Sequence, residues 1–213
     1  RCSALRVLYV QDEIADEYWD YLNEALQEYT IGDPNLPKVD IGPIINKNSK
    51  DRLLAHISAL KKSAKRTIEH HHKQDKGDLF ITPIVFEIDS INQIDEENFG
   101  PILHFIRYKN ENLQQVIDEI NDTGYGLTMG VHSRIVSKAR RIFEAANVGN
   151  FYFNRDIVGA VVGVQPFGGQ GLSGTGPKAG GPGYLYNFVT EKTYTDNVMA
   201  TGGNIELLNK NAM

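Results

Sequence analysis

LTMGVHSRIVSKARRIFEAANVGNFYF, residues 127–153, decides the fold. LTMGVHS (127–133) predicts a strand, VSKARRIFEAAN (136–147) a helix and NFYF (150–153) a second strand. The same alternation extends upstream. ILHFIRY (102–108) predicts a strand, and NLQQVIDEIND (112–122) a helix closed by Gly124. LFITPIVFEI (79–88) also reads as a strand, and its Pro83 implies an edge or a bulge. A helix over about 48–62, capped by Asn48 or Ser49, places Leu53, Leu54, Ile57 and Leu60 on one face. Another occupies DEIADEYWDYLNEALQEYTIG (12–32), with Ile14, Tyr18, Leu22 and Leu26 at four-residue spacing and Gly32 and Pro34 as the stop. ALRVLYV (4–10) is an apolar run suited to a buried strand. Strands alternating with helices predict a three-layer α/β domain with a mostly parallel sheet.

The 213 residues suffice to bury a core, and 41% apolar with 23% charged is an ordinary globular composition. A net charge of −5 argues against a nucleic-acid or anionic-membrane surface, which needs clustered positive charge. Lys61, Lys62, Lys65 and Arg66 form the one basic group, read as the end of a solvated helix. No stretch approaches 18 apolar residues, so no transmembrane segment is predicted. Arg1 is not an initiator residue, and the chain is expected to begin partway through a longer polypeptide.

One cysteine, Cys2, excludes an internal disulfide framework. By residue type a lone cysteine is a small buried hydrophobe. Cys2, however, precedes the apolar run instead of lying within it, and sits between Arg1 and Ser3. An ordinary thiol is mostly protonated at neutral pH, so a nucleophilic role calls for nearby positive charge or peptide dipoles, and Arg1 is one such charge. A thiol at a strand mouth lies where α/β folds gather their chemistry.

HHH (70–72) suggests metal, but adjacent side chains point to different faces and no partner stands at ligand spacing, so a solvated loop or strand end is expected. Asp89, Asp95, Glu96 and Glu97 read as a solvated acidic turn, and Phe99-Gly100-Pro101 as a rigid corner able to aim one carboxylate at a ligand. Ten of the 20 glycines fall in GAVVGVQPFGGQGLSGTGPKAGGPG (159–183), where the chain must turn sharply or bring bare backbone close to something. That run has neither the strand–helix placement of GxGxxG nor a P-loop lysine, so a phosphate cradle is not expected. The tail TYTDNVMATGGNIELLNKNAM (193–213) lacks the periodicity of a core element.

RCSALRV, EENFGP, NDTGYGLTMGVHSR, GNFYFNR and PFGGQGLSG occur in this order. Together they resemble the aldehyde dehydrogenase superfamily. IVGAVVGVQPFGGQGLSGTGPKAGGP and the closing TGGN are similar, more narrowly, to the C-terminal part of bifunctional proline utilization A proteins. The resemblance runs from Arg1 to about Leu208. It implies an aldehyde dehydrogenase catalytic domain over 1–158, a glycine-rich substrate-anchor region with a return segment over 159–189, and a C-terminal arm over 190–213. The implied parent activity is NAD-dependent oxidation of L-glutamate γ-semialdehyde (in equilibrium with Δ1-pyrroline-5-carboxylate) to L-glutamate, the second step of proline catabolism. Cys2 is then the nucleophile, with its own N–H as one oxyanion donor. Glu97 would bind the nicotinamide ribose and Phe99 would lie beside the nicotinamide. Ser3, Gly159 and Ala160 would anchor the α-carboxylate, with Phe167 against the aliphatic stem. No metal is implied.

In this family the NAD-binding region, the glutamate base and the oxyanion-hole asparagine lie upstream of the nucleophile. None can be assigned here, so the isolated chain is expected to be inactive. FAD would belong only to the separate proline dehydrogenase module. The implied setting is cytoplasmic, with membrane association of the parent left open, and homo-oligomer contacts would run through the tail arm. The rivals are another aldehyde or acyl-CoA-forming dehydrogenase and a non-catalytic oligomerisation domain.

Overall fold

The computed structural model describes residues 1–71 and 77–197. Its centre is a four-stranded sheet of β1 (Val7–Gln11), β2 (Arg66–Glu69), β3 (Ile84–Ile88) and β4 (Ile102–Tyr108), in the order β1-β4-β3-β2. β1 pairs parallel with β4, β4 parallel with β3, and β2 antiparallel with β3. Helix α1 (Asp12–Gln27) covers one face and α2 (Lys47–Ser63) the other, giving the three expected layers.

The alternation along β3 fits this arrangement. All five of its residues are buried. Ile84, Phe86 and Ile88 pack with Leu53, Ile57 and Leu60 of α2, whereas Val85 packs with Ala15, Trp19 and Leu26 of α1. A strand covered on both faces must be apolar throughout, and the exception, Glu87, is the most informative residue of the layer. Its side chain is buried on the α1 face, where Oε2 accepts from Arg66 Nε at 2.5 Å and Oε1 from Arg107 Nε at 2.8 Å. The two guanidiniums also share Asp16 of α1, and Arg66 lies 4.5 Å above the Trp19 ring, which meets Phe105 edge-on.

Several elements differ from the sequence reading. The buried stripe of α1 is Ala15, Trp19 and Leu26, with Leu22 partly covered, while Ile14 and Tyr18 are exposed. The α2 cap is Asn46, whose Oδ1 accepts from Ser49 N–H at 2.8 Å, so Ser49 is the donor and not the cap. Leu54 is exposed. Pro83 lies just outside β3, which is a central and not an edge strand. Lys61 and Lys62 close the last turn of α2 as expected, but Arg66 opens strand β2; Lys61 pairs with Glu69 and Lys65 with Asp89. His70 is buried, with Nε2 2.9 Å from Tyr29 O, against the expectation of a solvated loop; His72 lies outside the described residues.

Downstream come α3 (Leu113–Asp122), β5 (Tyr125–Gly126), β6 (Thr128–Val131), α4 (Val136–Ala145), β7 (Asn150–Phe153) and β8 (Gln170–Gly171). β6 and β7 pair parallel across α4, the unit predicted from 127–153, as a two-stranded sheet of their own. β8 closes antiparallel on β5. Residues 190–197 are exposed and carry no helix or strand, and TGGN (201–204) lies outside the described residues. Among the described residues no helix is long and apolar enough to cross a membrane.

On the α2 face, buried His104 of β4 meets His56, with Nε2 to Nε2 at 2.9 Å. His104 Nδ1 lies 2.9 Å from Arg6 O. A carbonyl only accepts, so Nδ1 carries the proton and Nε2 of neutral His104 accepts from His56. Burial pushes His104 down to about 4, with His56 and Arg6 adding to the fall and the Arg6 carbonyl opposing it. Burial also lowers His56, against the pull of Glu96 and Asp95.

Two predictions follow from this layer. Glu87→Gln removes the buried anion between two guanidiniums that then keep only exposed Asp16, and should cost about 3 kcal/mol in urea unfolding; a loss below about 1 kcal/mol would show that the network is dispensable. For His104 the unfolded chain binds the proton first as pH falls, so stability present above pH 6.5 is lost toward pH 4. Between pH 7 and pH 5 the contribution is about 2 kcal/mol. His104→Gln should flatten that pH dependence; equal slopes in both proteins would refute the assignment.

Candidate active site

The residues before β1 form a turn in which Ala4 N–H donates to Arg1 O at 3.2 Å. Ser3 is buried inside it and Cys2 is exposed at its tip. Neither the Cys2 thiol nor its backbone N–H is hydrogen-bonded among the described residues. Both are therefore available to an incoming carbonyl.

Cys2 opens into a groove of about 550 Å³ that also takes in Arg6, Tyr9, Glu97, Tyr125 and Thr128. Parallel pairing creates it. With Val7 opposite His104, the segments that precede β1 and β4 emerge at the same end of the sheet, and these segments carry Cys2 and Glu97. Residues 126–128 at the start of β6 and Val148 before β7 form the facing wall. The groove thus lies at the amino ends of parallel strands. The strand mouth expected from general α/β practice is the opposite, carboxyl end.

Glu97 is half-exposed and sits on a tied-down loop. Buried Asn98 donates from Nδ2 to Glu96 O at 3.0 Å, and Gly100 N–H donates to Asn98 O at 3.1 Å. Arg6 Nη1 stands 3.8 Å from Glu97 Oε1. The Phe99 ring is 60% exposed, an open aromatic face next to that carboxylate in the chain. A carboxylate that accepts from ribose hydroxyls and a bare ring against which nicotinamide can lie fit the reacting end of NAD. The rest of a dinucleotide site is not matched: among the described residues no glycine-rich turn joins a strand to a helix.

The glycine-rich stretch is held separately. Asn150 of β7 is buried, donates from Nδ2 to Pro166 O at 2.9 Å and accepts from Gly168 N–H at 3.1 Å. Lys178 Nζ donates to Gly149 O. A Cβ on Gly149 would collide with the Gly168 carbonyl, so bare backbone is required there. Phe167 exchanges backbone hydrogen bonds with Ala179, both at 3.0 Å. Gly159 turns at φ +83°, a conformation suited to glycine.

Of the predicted site residues, Cys2 and Glu97 share the groove. Ser3 lies buried behind Cys2, Phe99 is at the surface, and Gly159, Ala160 and Phe167 are not among the groove's walls. Sequence reading missed Arg6, Tyr9 and Asn150. Tyr9 had no motif to mark it, yet its buried hydroxyl has no hydrogen-bond partner among the described residues; burial raises its pKa, with Glu119 adding to the effect. Asn150 lies inside the quoted GNFYFNR, where its amide could have been read as a loop tie. Among the described residues no cluster of His, Cys, Asp and Glu could hold a metal.

Residues 1–194 match the Aldehyde dehydrogenase family. Bifunctional protein PutA of Klebsiella aerogenes is 45% identical over 90% of this chain and 15% of its own length. 1-pyrroline-5-carboxylate dehydrogenase of Geobacillus sp. (strain WCH70) is 34% identical over 92% of this chain and 38% of its own. The chain therefore spans a small part of the relatives it matches. Among solved structures, a mutant of Bradyrhizobium japonicum Proline Utilization A superposes with TM-score 0.86 at 50% identity, over 95% of this chain and 20% of that one. The 1-pyrroline-5-carboxylate dehydrogenase from Thermus with bound NAD gives 0.77 at 35%, over 88% and 36%. The chain belongs to the aldehyde dehydrogenase family.

Proposed function

We propose that this chain is the nucleophile-bearing part of an NAD-dependent L-glutamate γ-semialdehyde dehydrogenase. The observation that carries the reading is the shared groove of Cys2 and Glu97, on a chain similar to PutA and to 1-pyrroline-5-carboxylate dehydrogenases. Cys2 Sγ attacks the aldehyde carbon, forming a C–S bond as the carbonyl electrons move to oxygen, and the free Cys2 N–H donates to that oxyanion. When bound, NAD+ supplies the acceptor for the hydride lost from the thiohemiacetal carbon. Glu97 would hold its ribose and Phe99 its nicotinamide. Cys2 then carries the acyl group as a thioester until water cleaves it, releasing L-glutamate and the thiolate. Ser3, Gly159 and Ala160 anchor the α-carboxylate, and Phe167 packs on the stem.

The partition into a catalytic part over 1–158, an anchor region over 159–189 and an arm over 190–213 belongs to the same reading, as do homo-oligomer contacts through the arm and a cytoplasmic setting. On the same reading, this chain alone should produce no NADH from the semialdehyde.

In the complete enzyme carrying this chain, Cys2→Ser should lower kcat on the order of 10³-fold or more. Glu97→Gln should instead raise the KM for NAD+ about tenfold, while iodoacetamide still labels Cys2 at the parent rate. The deciding assay is a panel of glutamate semialdehyde, succinate semialdehyde and pentanal. Preference for glutamate semialdehyde is expected, and preference for pentanal would sink the reading.

A further inference from the structure

Between β7 and Phe167 the chain has no regular element, and only some of its backbone N–H groups are tied down. Val158 N–H donates to Asp156 Oδ1 at 3.2 Å, and Val161 N–H to Gln165 Oε1 at 3.2 Å. Val164 and Gln165 N–H both donate to Val161 O, at 3.1 and 2.8 Å. Between Val158 and Val161, the N–H groups of Gly159 and Ala160 donate to nothing among the described residues.

The carbonyls of those same two peptide groups are held by one side chain. Arg155 Nη2 donates to Val158 O at 3.0 Å and to Gly159 O at 3.4 Å. The same Nη2 also donates to Asp156 Oδ1 at 3.3 Å, while Nε donates to Asp156 O at 3.1 Å and Nη1 to Gln165 Oε1 at 3.4 Å, with the guanidinium 4.7 Å above the Tyr152 ring. Gln165 is therefore a brace that receives from both Arg155 and Val161.

Trans peptide geometry gives this arrangement its consequence. The chain has no cis bond among the described residues, and in a trans peptide the C=O and the following N–H point in opposite directions. Val158 O shares its plane with Gly159 N–H, and Gly159 O shares its plane with Ala160 N–H. Two carbonyls drawn to one Nη2 send the two N–H groups to the far side. A cation on the carbonyl oxygen also polarises each peptide, making its N–H a stronger donor. Two adjacent, outward, polarised N–H groups offer one donor to each oxygen of a carboxylate on that side.

We propose that Arg155, braced by Gln165, is the positioning residue for carboxylate specificity. It touches the substrate at no atom; it aims the Gly159 and Ala160 N–H groups at the α-carboxylate. This rests on the reading that the substrate is glutamate semialdehyde with its carboxylate at that loop. Lysine cannot replace arginine here, because a point ammonium cannot span two carbonyls and an amide in one planar fork.

The test compares glutamate semialdehyde with pentanal in the complete enzyme carrying this chain, for the parent, Arg155→Met, Arg155→Lys and Gln165→Leu. Arg155→Met should lower kcat/KM for glutamate semialdehyde about tenfold to a hundredfold, mainly through KM. The fall for pentanal should be at least about tenfold smaller. Arg155→Lys should lose nearly as much as methionine, and Gln165→Leu should shift the ratio the same way by less. Equal losses for both aldehydes, no loss for either, or full rescue by lysine would each overturn the proposal. If the methionine variant does not fold, Gln165→Leu decides alone: an unchanged substrate ratio overturns the clamp. A parent enzyme that does not prefer glutamate semialdehyde would remove the underlying functional reading instead, which separates the two failures.

Discussion

Parallel pairing of β1 with β4 is the constraint on which the site depends. In an antiparallel pair, the segments preceding the two strands would leave at opposite ends of the sheet. Here they leave together, and residues 95 apart in sequence, Cys2 and Glu97, come to line one groove. The register is pinned where it matters most. Arg6 O, the last carbonyl before β1, accepts from both the backbone N–H and the side-chain Nδ1 of His104. The turn that carries Cys2 thus hangs from a carbonyl held twice by the neighbouring strand. The same residue's guanidinium faces Glu97, so one arginine links the thiol segment to the carboxylate segment through backbone on one side and charge on the other.

That anchoring requires a polar ring within an apolar layer, and α2 makes it tolerable. His56 supplies the donor that neutral His104 needs at Nε2, which leaves no unpaired nitrogen on the buried ring. On the opposite face Glu87 is handled differently, by two guanidiniums and not by a neutral partner. The two solutions follow from position. The α1 face lies beside half-exposed Arg66 and Arg107, whose heads reach solvent, whereas the α2 face is walled by isoleucines and leucines. A charge is sustainable on the first and costly on the second.

How much of this could be read beforehand depended on whether the signal was local. The βαβ unit over 127–153 was legible because apolar runs, helix period and connection lengths all agreed within 27 residues. Strand β2 was not: RTIE is short, follows a basic helix end, and is a strand because β3 offers it an edge. The α1 face was misplaced because the spacing of Ile14 and Tyr18 is as helical as that of Ala15 and Trp19, and the sheet on which the helix rests makes the choice. His70 looked solvated among histidines and lysines, but its burial is imposed by Tyr29, 41 residues earlier. Position alone raised Cys2 and one carboxylate of the acidic turn as candidates, and family resemblance gave Cys2 and Glu97 their roles. Nothing local to either residue states that they share a groove.

The glycine-rich stretch shows why side-chain reading stalls at a backbone site. The working groups proposed for it are peptide N–H donors, which every residue but proline carries, so no residue type announces them. What distinguishes Gly159 and Ala160 from the equally unbonded Val162 and Gly163 is that Arg155 holds their carbonyl side. Glycine permits φ +83° there, but permission alone would leave the peptide planes free to rotate. Orientation must come from outside the loop, from a residue whose several donors can fix two planes at once. Arginine, stacked on Tyr152 and braced by Gln165, has that geometry. The orientation of a backbone site built of glycine and alanine is therefore written in the residues that surround it.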